Sequence, residues 1–485
     1  MPTSILPSNS KSQTNVRAKS LKSKASFRGH LSPVSAMLDF YLPSGFSYTV
    51  PTENCSEAQD SNEVFALLET TLITGDESGW VFWWDINTRR PIGSWKAHDG
   101  PVISIVQTGL RWKKVSDGNL APMLTENEFG KLLTHGKDGE VIIWDMFELI
   151  RTENGNGYLW KRDSPLQRKV FATGNDISKW ISPDKLFDMP VNPINFSNVA
   201  SRENKLVTPS TQDSNCFDVY EISKVEKVYS LKRLHKAVSA VQQIEKNDKE
   251  INIQYDEESG RDFGVVMKIV WINDNVFSVG YESGHVVSFN LKGDNLRVIS
   301  VNSSHYPCPI LSLHYDPLTE RLLAGSASST ITIDSLDNIE NSVFLEIRNL
   351  SQTYNVKHKG ISDISTRPNT VVLVTWDGFS RFYKYDGSGS LQFCRKVKKN
   401  VPSIDNMDSS TSTTSESQQQ SSAILIMNKP QFRFSFLKGK GTLRFDNGRS
   451  KNIVKFRAEQ AFDHCWLFTG YKDGKVALED IETKM

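Results

Sequence analysis

Residues 72–86 read LITGDESGWVFWWDI, and residues 132–146 read LLTHGKDGEVIIWDM. Each stretch begins with a β-prone run, passes through a short polar turn that ends in glycine, and closes with a second β-rich run ending in Trp-Asp. A repeated unit of this kind decides the architecture before any local motif does, because each copy must stack on its neighbours to bury its apolar face. The repeat therefore predicts an array of small β-sheets.

Five further segments follow the same template less closely. They are KLVTPSTQDSNCFDVYEI (205–222), VFSVGYESGHVVSFNL (276–291), LLAGSASSTITIDSL (322–336), VLVTWDGFSRFYKY (372–385) and WLFTGYKDGKVALEDI (466–481). Most copies also follow a His or a turn and a short apolar run, as in FRGHLSPVSAML (27–38), WKAHDGPVISIV (95–106), LHKAVSAV (234–241), HYPCPILSLHY (305–315) and HKGISDIS (358–365). This pattern resembles the WD40 family, whose repeat forms a four-stranded blade. The resemblance implies an all-β fold, a seven-bladed WD40 β-propeller with inserted loops.

The copy at 132–146 matches the hydrogen-bonding pattern of the WD40 blade at every position. In that family a His, a Ser or Thr, a turn Asp and a Trp form a hydrogen-bonded chain, and the matching residues here are His98, Thr134, Asp138 and Trp144. The Asp accepts hydrogen bonds from the turn and the imidazole, while a glycine after it allows a positive φ. We therefore expect these four residues to form a structural tetrad rather than a catalytic group.

Two other copies match the tetrad only in part. The first copy has Ser78 at the position of the turn Asp, and the last has Thr469 and Asp473 but Glu479 in place of the Trp. There the blade prediction depends on the period and the strand pattern.

The domain boundaries follow from closing the ring. The last repeat ends near Ile481 without a fourth strand, so we expect residues of about 20–28 to supply it and avoid an open pairing edge. The predicted organisation is a basic disordered tail at 1–19 and a propeller over 20–485 that includes a low-complexity disordered insertion at 403–422. The remaining length falls in loops, the longest at 41–61, 110–128, 147–188 and 245–261.

Composition excludes several classes of function. The 57 Lys+Arg against 56 Asp+Glu create no global field for nucleic acid or membrane, so we expect protein partners. No apolar run is long enough to span a bilayer, and the polar N-terminus lacks a hydrophobic signal region, which predicts a soluble intracellular protein. The five cysteines are far apart and without metal-ligand spacing. We therefore expect reduced thiols, no metal and no cofactor.

No enzyme motif is present. The chain has no P-loop, no G-x-S-x-G elbow and no H-E-x-x-H pattern, and its histidines lie mostly at repeat starts, where blade hydrogen bonding explains them. We therefore expect no catalytic residue and no enzyme activity.

Three residues are candidates for a partner-binding surface. Strand alternation puts Trp83 on the opposite face from Trp84, which leaves it either as an exposed anchor or buried between blades. Arg89 and Arg90 lie in TRRPIGSWKAHDGP (88–101), in a loop that joins two blades, where the alternatives are a partner contact and a solvated turn.

The segment GDESGWVFWWDINTRRPIGSWKAHDGPVISI (75–105), followed by LLTHGKDGEVIIWDM, resembles the ASTRA-associated protein 1 family of fungi, which is related to G-protein β-subunit-like propellers. The resemblance implies a nuclear scaffold subunit, with the cytoplasm as a second location, in a chromatin-remodelling complex. Its expected partners are RuvB-like ATPases, a large phosphatidylinositol-kinase-related subunit and the co-chaperone that matures kinases of that class. We expect no direct binding of nucleic acid and no membrane association.

Two other classes of function stay open. A substrate receptor of a ubiquitin ligase would carry Asp-x-Arg at the end of a Trp-Asp motif, but 85–87 and 145–147 lack it. A G-protein β-like signalling subunit would begin with a coiled-coil helix, whereas residues 1–20 show no heptad and contain two prolines.

Overall fold

The structure is a computed structural model. It describes residues 25–43, 47–49, 63–64, 68–86, 90–114, 120–125, 130–146, 149–151, 157–160, 183–225, 228–247, 262–336, 345–346, 351–367, 370–385, 390–397, 421–427 and 466–480. The predicted insertion at 403–422 lies outside these ranges except for its last two residues, and the predicted tail at 1–19 lies entirely outside them.

Seven antiparallel sheets form the blades of a β-propeller, which confirms the predicted fold. The strands are given in order from the first to the last of each blade. They are Val34–Pro43, Leu68–Asp76, Trp80–Asp85 and Arg90–Lys96 in blade 1; Val102–Gln107, Lys131–Gly136, Glu140–Asp145 and Asp184–Pro190 in blade 2; Ala200–Arg202, Lys205–Pro209, Phe217–Val225 and Val228–Val238 in blade 3; Val266–Trp271, Val276–Tyr281, Val286–Lys292 and Asn295–Asn302 in blade 4; Ile310–Asp316, Arg321–Ser326, Thr330–Ser335 and Ser351–Asn355 in blade 5; Ile361–Arg367, Thr370–Thr375, Ser380–Tyr385 and Leu391–Val397 in blade 6; and Ser421–Met427, Trp466–Tyr471, Lys475–Asp480 and Ala25–Arg28 in blade 7.

An apolar cluster lies between each pair of neighbouring blades around the whole ring. Side chains alternate between the two faces of a strand, and both faces of a blade lie against a neighbour, so both sets of side chains are buried. Each large apolar side chain buried in this way stabilises the fold by about 1.5–3 kcal/mol. The core of the protein is therefore this set of interfaces rather than one central cluster.

The ring is closed by strands from both ends of the described chain. Ala25–Arg28 pairs antiparallel with Lys475–Asp480, with Phe27 opposite Val476. The Phe27 ring is buried, with its centroid 5.5 Å from that of Trp84 in blade 1. The N-terminal strand therefore contributes to the interface between blades 7 and 1 as well as to the sheet.

Three of the four predicted long loops contribute strands to two small sheets. Ser47–Thr49 pairs with the hairpin Leu149–Arg151 and Gly157–Trp160, and Glu63–Val64 pairs with the hairpin Leu110–Lys114 and Leu120–Thr125. In blade 4, Leu345–Glu346 adds a fifth, parallel strand beside Asn295–Asn302.

The prediction that the apolar run at 234–241 forms the first strand of a blade was wrong. Those residues complete the last strand of blade 3 and begin the helix Ala240–Asn247, and the first strand of blade 4 is Val266–Trp271. The chain bends at Ala237, which has φ 45° and whose amide donates to Asp218 Oδ1 over 2.6 Å. This bond comes from another strand, so the local sequence does not reveal it.

Candidate protein-interaction face

The tetrad residues of blade 2 form one hydrogen-bonded chain. Trp144 Nε1 donates to Thr134 Oγ1 over 2.8 Å, and Thr134 Oγ1 lies 2.8 Å from His98 Nε2. His98 Nδ1 lies 3.1 Å from Asp138 Oδ1. A carboxylate can only accept, so the neutral His98 ring carries its proton on Nδ1, and its Nε2 accepts a hydrogen bond from the Thr134 hydroxyl. Burial lowers the pKa of His98, although Asp138 opposes this effect, and the ring is therefore neutral at pH 7.

Blade 1 has a complete tetrad as well, which corrects the expectation based on Ser78. His30 Nδ1 lies 2.7 Å from Asp76 Oδ2, His30 Nε2 lies 2.6 Å from Thr74 Oγ1, and Trp84 Nε1 donates to Thr74 over 2.8 Å. Asp76 Oδ1 also accepts the amides of Ser78 and Trp80 over 2.9 and 3.0 Å. The acid thus comes from two residues before the expected turn position.

Strand register explains why the two blades differ. Gly75 opposite Val81 and His135 opposite Val141 are equivalent pairs, so Asp76 corresponds to Gly136 in blade 2. A Cβ on Gly136 would lie 2.4 Å from the His98 ring and 2.5 Å from Asp138 Oδ1. In blade 2, position 136 therefore has no room for a side chain beside His98 and Asp138.

Two further blades replace the tetrad with other polar groups. In blade 6 the buried Arg381 binds Asp377 through two nitrogens, with one contact of 2.8 Å, and also contacts Thr375. In blade 7 Glu479 stands at the Trp position beside Thr469 and is buried. Burial raises the pKa of Glu479 to about 7, although Arg395 opposes this effect.

These networks place two sets of loops at one end of the propeller. Each tetrad joins the His of a loop that connects two blades to the acid at or before the central turn of the next blade. Main-chain bonds support this in blade 1, where Ala97 donates to the carbonyl of Gly79 over 2.9 Å. We call this end the loop face: the turns between the second and third strands, with the connections between blades.

Among the described residues, most of the large apolar side chains that are strongly exposed lie on the loop face. Leu31 is 92% exposed, Ile194 76%, Phe196 72% and Trp376 58%. Trp376 also covers Gly360, where a Cβ would lie 2.0 Å from its ring, so part of this tryptophan is structural. Exposed aromatic and aliphatic side chains on ordered loops are typical of contact sites for other proteins.

The three predicted surface residues have different outcomes. Trp83 is 4% exposed, packs in the cluster between blades 1 and 2, and donates through Nε1 to Thr71 Oγ1 over 2.8 Å. Its proposed role as an exposed anchor was wrong, because both faces of a blade are covered. Arg90 begins the strand Arg90–Lys96 opposite Asp85, while Arg89 lies outside the described residues. Their role in partner binding stays a prediction.

The described residues contain no group of three or more His, Cys, Asp or Glu side chains arranged to hold a metal ion. Within the same part of the chain, no helix has the length and apolar character needed to span a bilayer. Of the cysteines that the structure describes, Cys216, Cys308 and Cys394 are free thiols, and Cys216 is buried.

Comparison with known proteins gives a consistent result over nearly the whole chain. The family model for ASTRA-associated protein 1 matches residues 23–479. The protein of that name from Komagataella phaffii is 33% identical over 473 residues, covering 94% of this chain and 96% of its own. The one from Meyerozyma guilliermondii is 30% identical over 407 residues, covering 75% of this chain and 76% of its own.

A solved structure, the crystal structure of Saccharomyces cerevisiae Sqt1, covers 96% of this chain and 100% of that chain, with a TM-score of 0.47 and 10% identity. This similarity is too distant to bear on function. The family match, in contrast, extends over residues 23–479, which begin before the first repeat and end within the last, and the Komagataella phaffii relative covers 94% of this chain. The chain therefore belongs to the ASTRA-associated protein 1 family.

Proposed function

We propose that this chain is a non-enzymatic scaffold subunit of the ASTRA complex. The observation that carries the proposal is the 33% identity, over 94% of this chain, to a protein named ASTRA-associated protein 1. The structure is compatible with a scaffold role: a closed ring that holds its loops by buried hydrogen bonds and exposes apolar side chains at one end.

The finer role follows from the same proposal. In the nucleus, the chain contributes to chromatin remodelling and to the maturation of phosphatidylinositol-kinase-related kinases. Its direct partners are among the RuvB-like ATPases, the large kinase-related subunit and the kinase co-chaperone. A rigid propeller suits this role, because docking on preorganised loops costs little conformational entropy.

Affinity purification of the tagged, full-length chain from its own cells tests the proposal. We expect the kinase-related subunit, the RuvB-like ATPases and the co-chaperone to co-purify in reproducible ratios. Fluorescence imaging of the tagged chain tests the nuclear location. A matched control is the same tag on an unrelated propeller, which separates specific partners from chaperones that bind any propeller.

Two outcomes would replace the proposal with another class of function. Recovery of a cullin adaptor without ASTRA subunits would indicate a ubiquitin-ligase receptor. Recovery of a small γ-like chain would indicate a signalling subunit. Turnover of any substrate by the purified protein would contradict the non-enzymatic assignment.

A further inference from the structure

Ile194 and Phe196 stand out on the loop face, and we call this pair the apolar spur. They lie in the connection 191–199 between blades 2 and 3, and both are more than two-thirds exposed, at 76% and 72%. Large apolar side chains that point into solvent from an ordered loop are typical of a surface that another protein covers.

The loop under the spur is held in place before any partner binds. The side-chain amides of Asn192 and Asn195 donate to carbonyl oxygens of the loop 210–216 over 2.8 and 3.1 Å. Asn198 exchanges two hydrogen bonds with the main chain of Ile269, at 2.7 and 3.1 Å. Every third residue is thus an anchor, and the spur residues between them face outward. This preorganisation lowers the entropy cost of docking.

Lys137 completes the support from blade 2. Its Nζ donates to the carbonyl oxygens of Ile194 and Asn195 over 2.8 and 3.0 Å, and it lies 3.4 Å from the centroid of the Phe196 ring. The ammonium group is therefore engaged with the loop itself and is not directed at a partner.

The charge around the spur is acidic. The loops that support it are 137–140 and 210–216, and residues 97–101 contact the first of these through the Asp99 amide, which donates to Asp138 Oδ2 over 2.9 Å. Their charged side chains are Lys137, the exposed acidic residues Asp99, Glu140 and Asp213, and Asp138, whose side chain is only 18% exposed. The spur loop has no charged residue of its own. Electrostatic complementarity therefore favours a positively charged partner and disfavours nucleic acid.

We propose that the apolar spur and its surrounding carboxylates dock a basic segment of another protein, one that places an aliphatic or aromatic side chain between lysines or arginines. The apolar side chain of the partner packs on Ile194 and Phe196, and its cations lie over the carboxylates. This inference rests on the proposed function, because it names the partner chemistry for the loop face of the scaffold.

The first experiment uses 12-residue peptides immobilised on beads in three sets: basic with apolar residues, acidic with apolar residues, and neutral with apolar residues. The full-length wild-type chain is expected to bind the basic set at least about tenfold more tightly than the other two. Raising the salt concentration from 0.05 M to 0.3 M should weaken that binding, because exposed charge pairs are screened. Equal binding of the three sets, or no binding to any, would overturn the inference.

Variants locate the binding on the loop face. The change Ile194→Ser with Phe196→Ser should weaken binding of the basic set at least about tenfold, and Asp99→Asn with Glu140→Gln should reduce its salt dependence. Leu31→Ser is the matched control, since it removes an even more exposed apolar side chain elsewhere on the same face. All variants should melt at the wild-type temperature. An equal loss in the Leu31 variant would contradict the assignment.

Affinity purification from the chain's own cells separates this inference from the proposed function. If the wild-type chain brings down ASTRA subunits and the double spur variant loses at least one of them, both stand. If the wild-type chain brings them down and the double variant retains them all, the inference fails while the proposed function stands. If the wild-type chain brings down none, the proposed function fails, and binding of the basic peptides alone decides the inference.

Discussion

Replacing Asp76 by Ala should destabilise the protein far more than replacing Ser78 by Ala. Asp76 is 2% exposed, and its carboxylate accepts from His30 Nδ1 at 2.7 Å and from two turn amides at 2.9 and 3.0 Å. Removing it leaves a buried imidazole N–H without its acceptor and frees the turn, which costs about 3 kcal/mol. Ser78 is exposed, and its hydroxyl contacts only the Ser32 hydroxyl among the described side chains, so its loss should cost less than about 0.5 kcal/mol.

The assay is thermal and urea unfolding of the full-length variants, followed by circular dichroism and by tryptophan fluorescence. If the ring unfolds as one unit, a loss of about 3 kcal/mol lowers Tm by about 4 °C, because the entropy of unfolding grows with chain length. Asp76→Asn is the informative intermediate: its side-chain oxygen still accepts the turn amides, so we expect about half the effect. Agreement between the two probes checks that unfolding is cooperative.

The reasoning would be refuted if Ser78→Ala destabilised the protein as much as Asp76→Ala. That result would place the turn acceptor at the position expected from the repeat alignment. Equal effects of the Ala and Asn variants would show that only the His30 contact matters.

Three further predictions concern other sites. Gly136→Ala should cost about 1–3 kcal/mol, measured by urea unfolding, because its methyl group would meet the His98 ring at 2.4 Å; an unchanged midpoint would contradict this. Phe27→Ala should cost about 3–5 kcal/mol, because the ring is buried between blades 7 and 1; a Tm within 1 °C of wild type would show that the N-terminal strand does not close the ring. Glu479→Gln should stabilise the protein increasingly as pH rises from about 4.5 to 7 and by a constant amount above. The raised pKa of Glu479 means that its ionisation opposes folding. A difference in the free energy of unfolding between variant and wild type that did not change with pH would contradict the raised pKa.

The sequence revealed the second and third strands of the blades well, because their β-prone runs and, in five of the seven copies, a turn glycine are local signals. It was less informative about first and last strands. The apolar run at 234–241 resembled a first strand, yet a side-chain bond from Asp218 bends the chain at Ala237, and a helix follows. Contacts between residues distant in sequence decided that element.

The site residues show the same limit. Alignment of the repeat copies put Ser78 at the position of the turn Asp in blade 1. The acid that contacts His30 is instead Asp76, two residues earlier. Alternation separated Trp83 from Trp84, but alternation does not distinguish exposed from buried faces when neighbouring blades cover both. The apolar spur was not predicted; the asparagine at every third position in VNPINFSN (191–198) is the one sequence signal for it.

Hydrogen–deuterium exchange of the chain, alone and within the assembly purified from its cells, tests most directly whether the propeller is a scaffold that docks through its loop face. We predict that binding slows exchange in loop-face segments, foremost 191–199 and 137–140, and leaves the last strands of the blades unchanged. Protection confined to those outer strands or to the opposite end, with the loop face exchanging as in the free chain, would contradict the account.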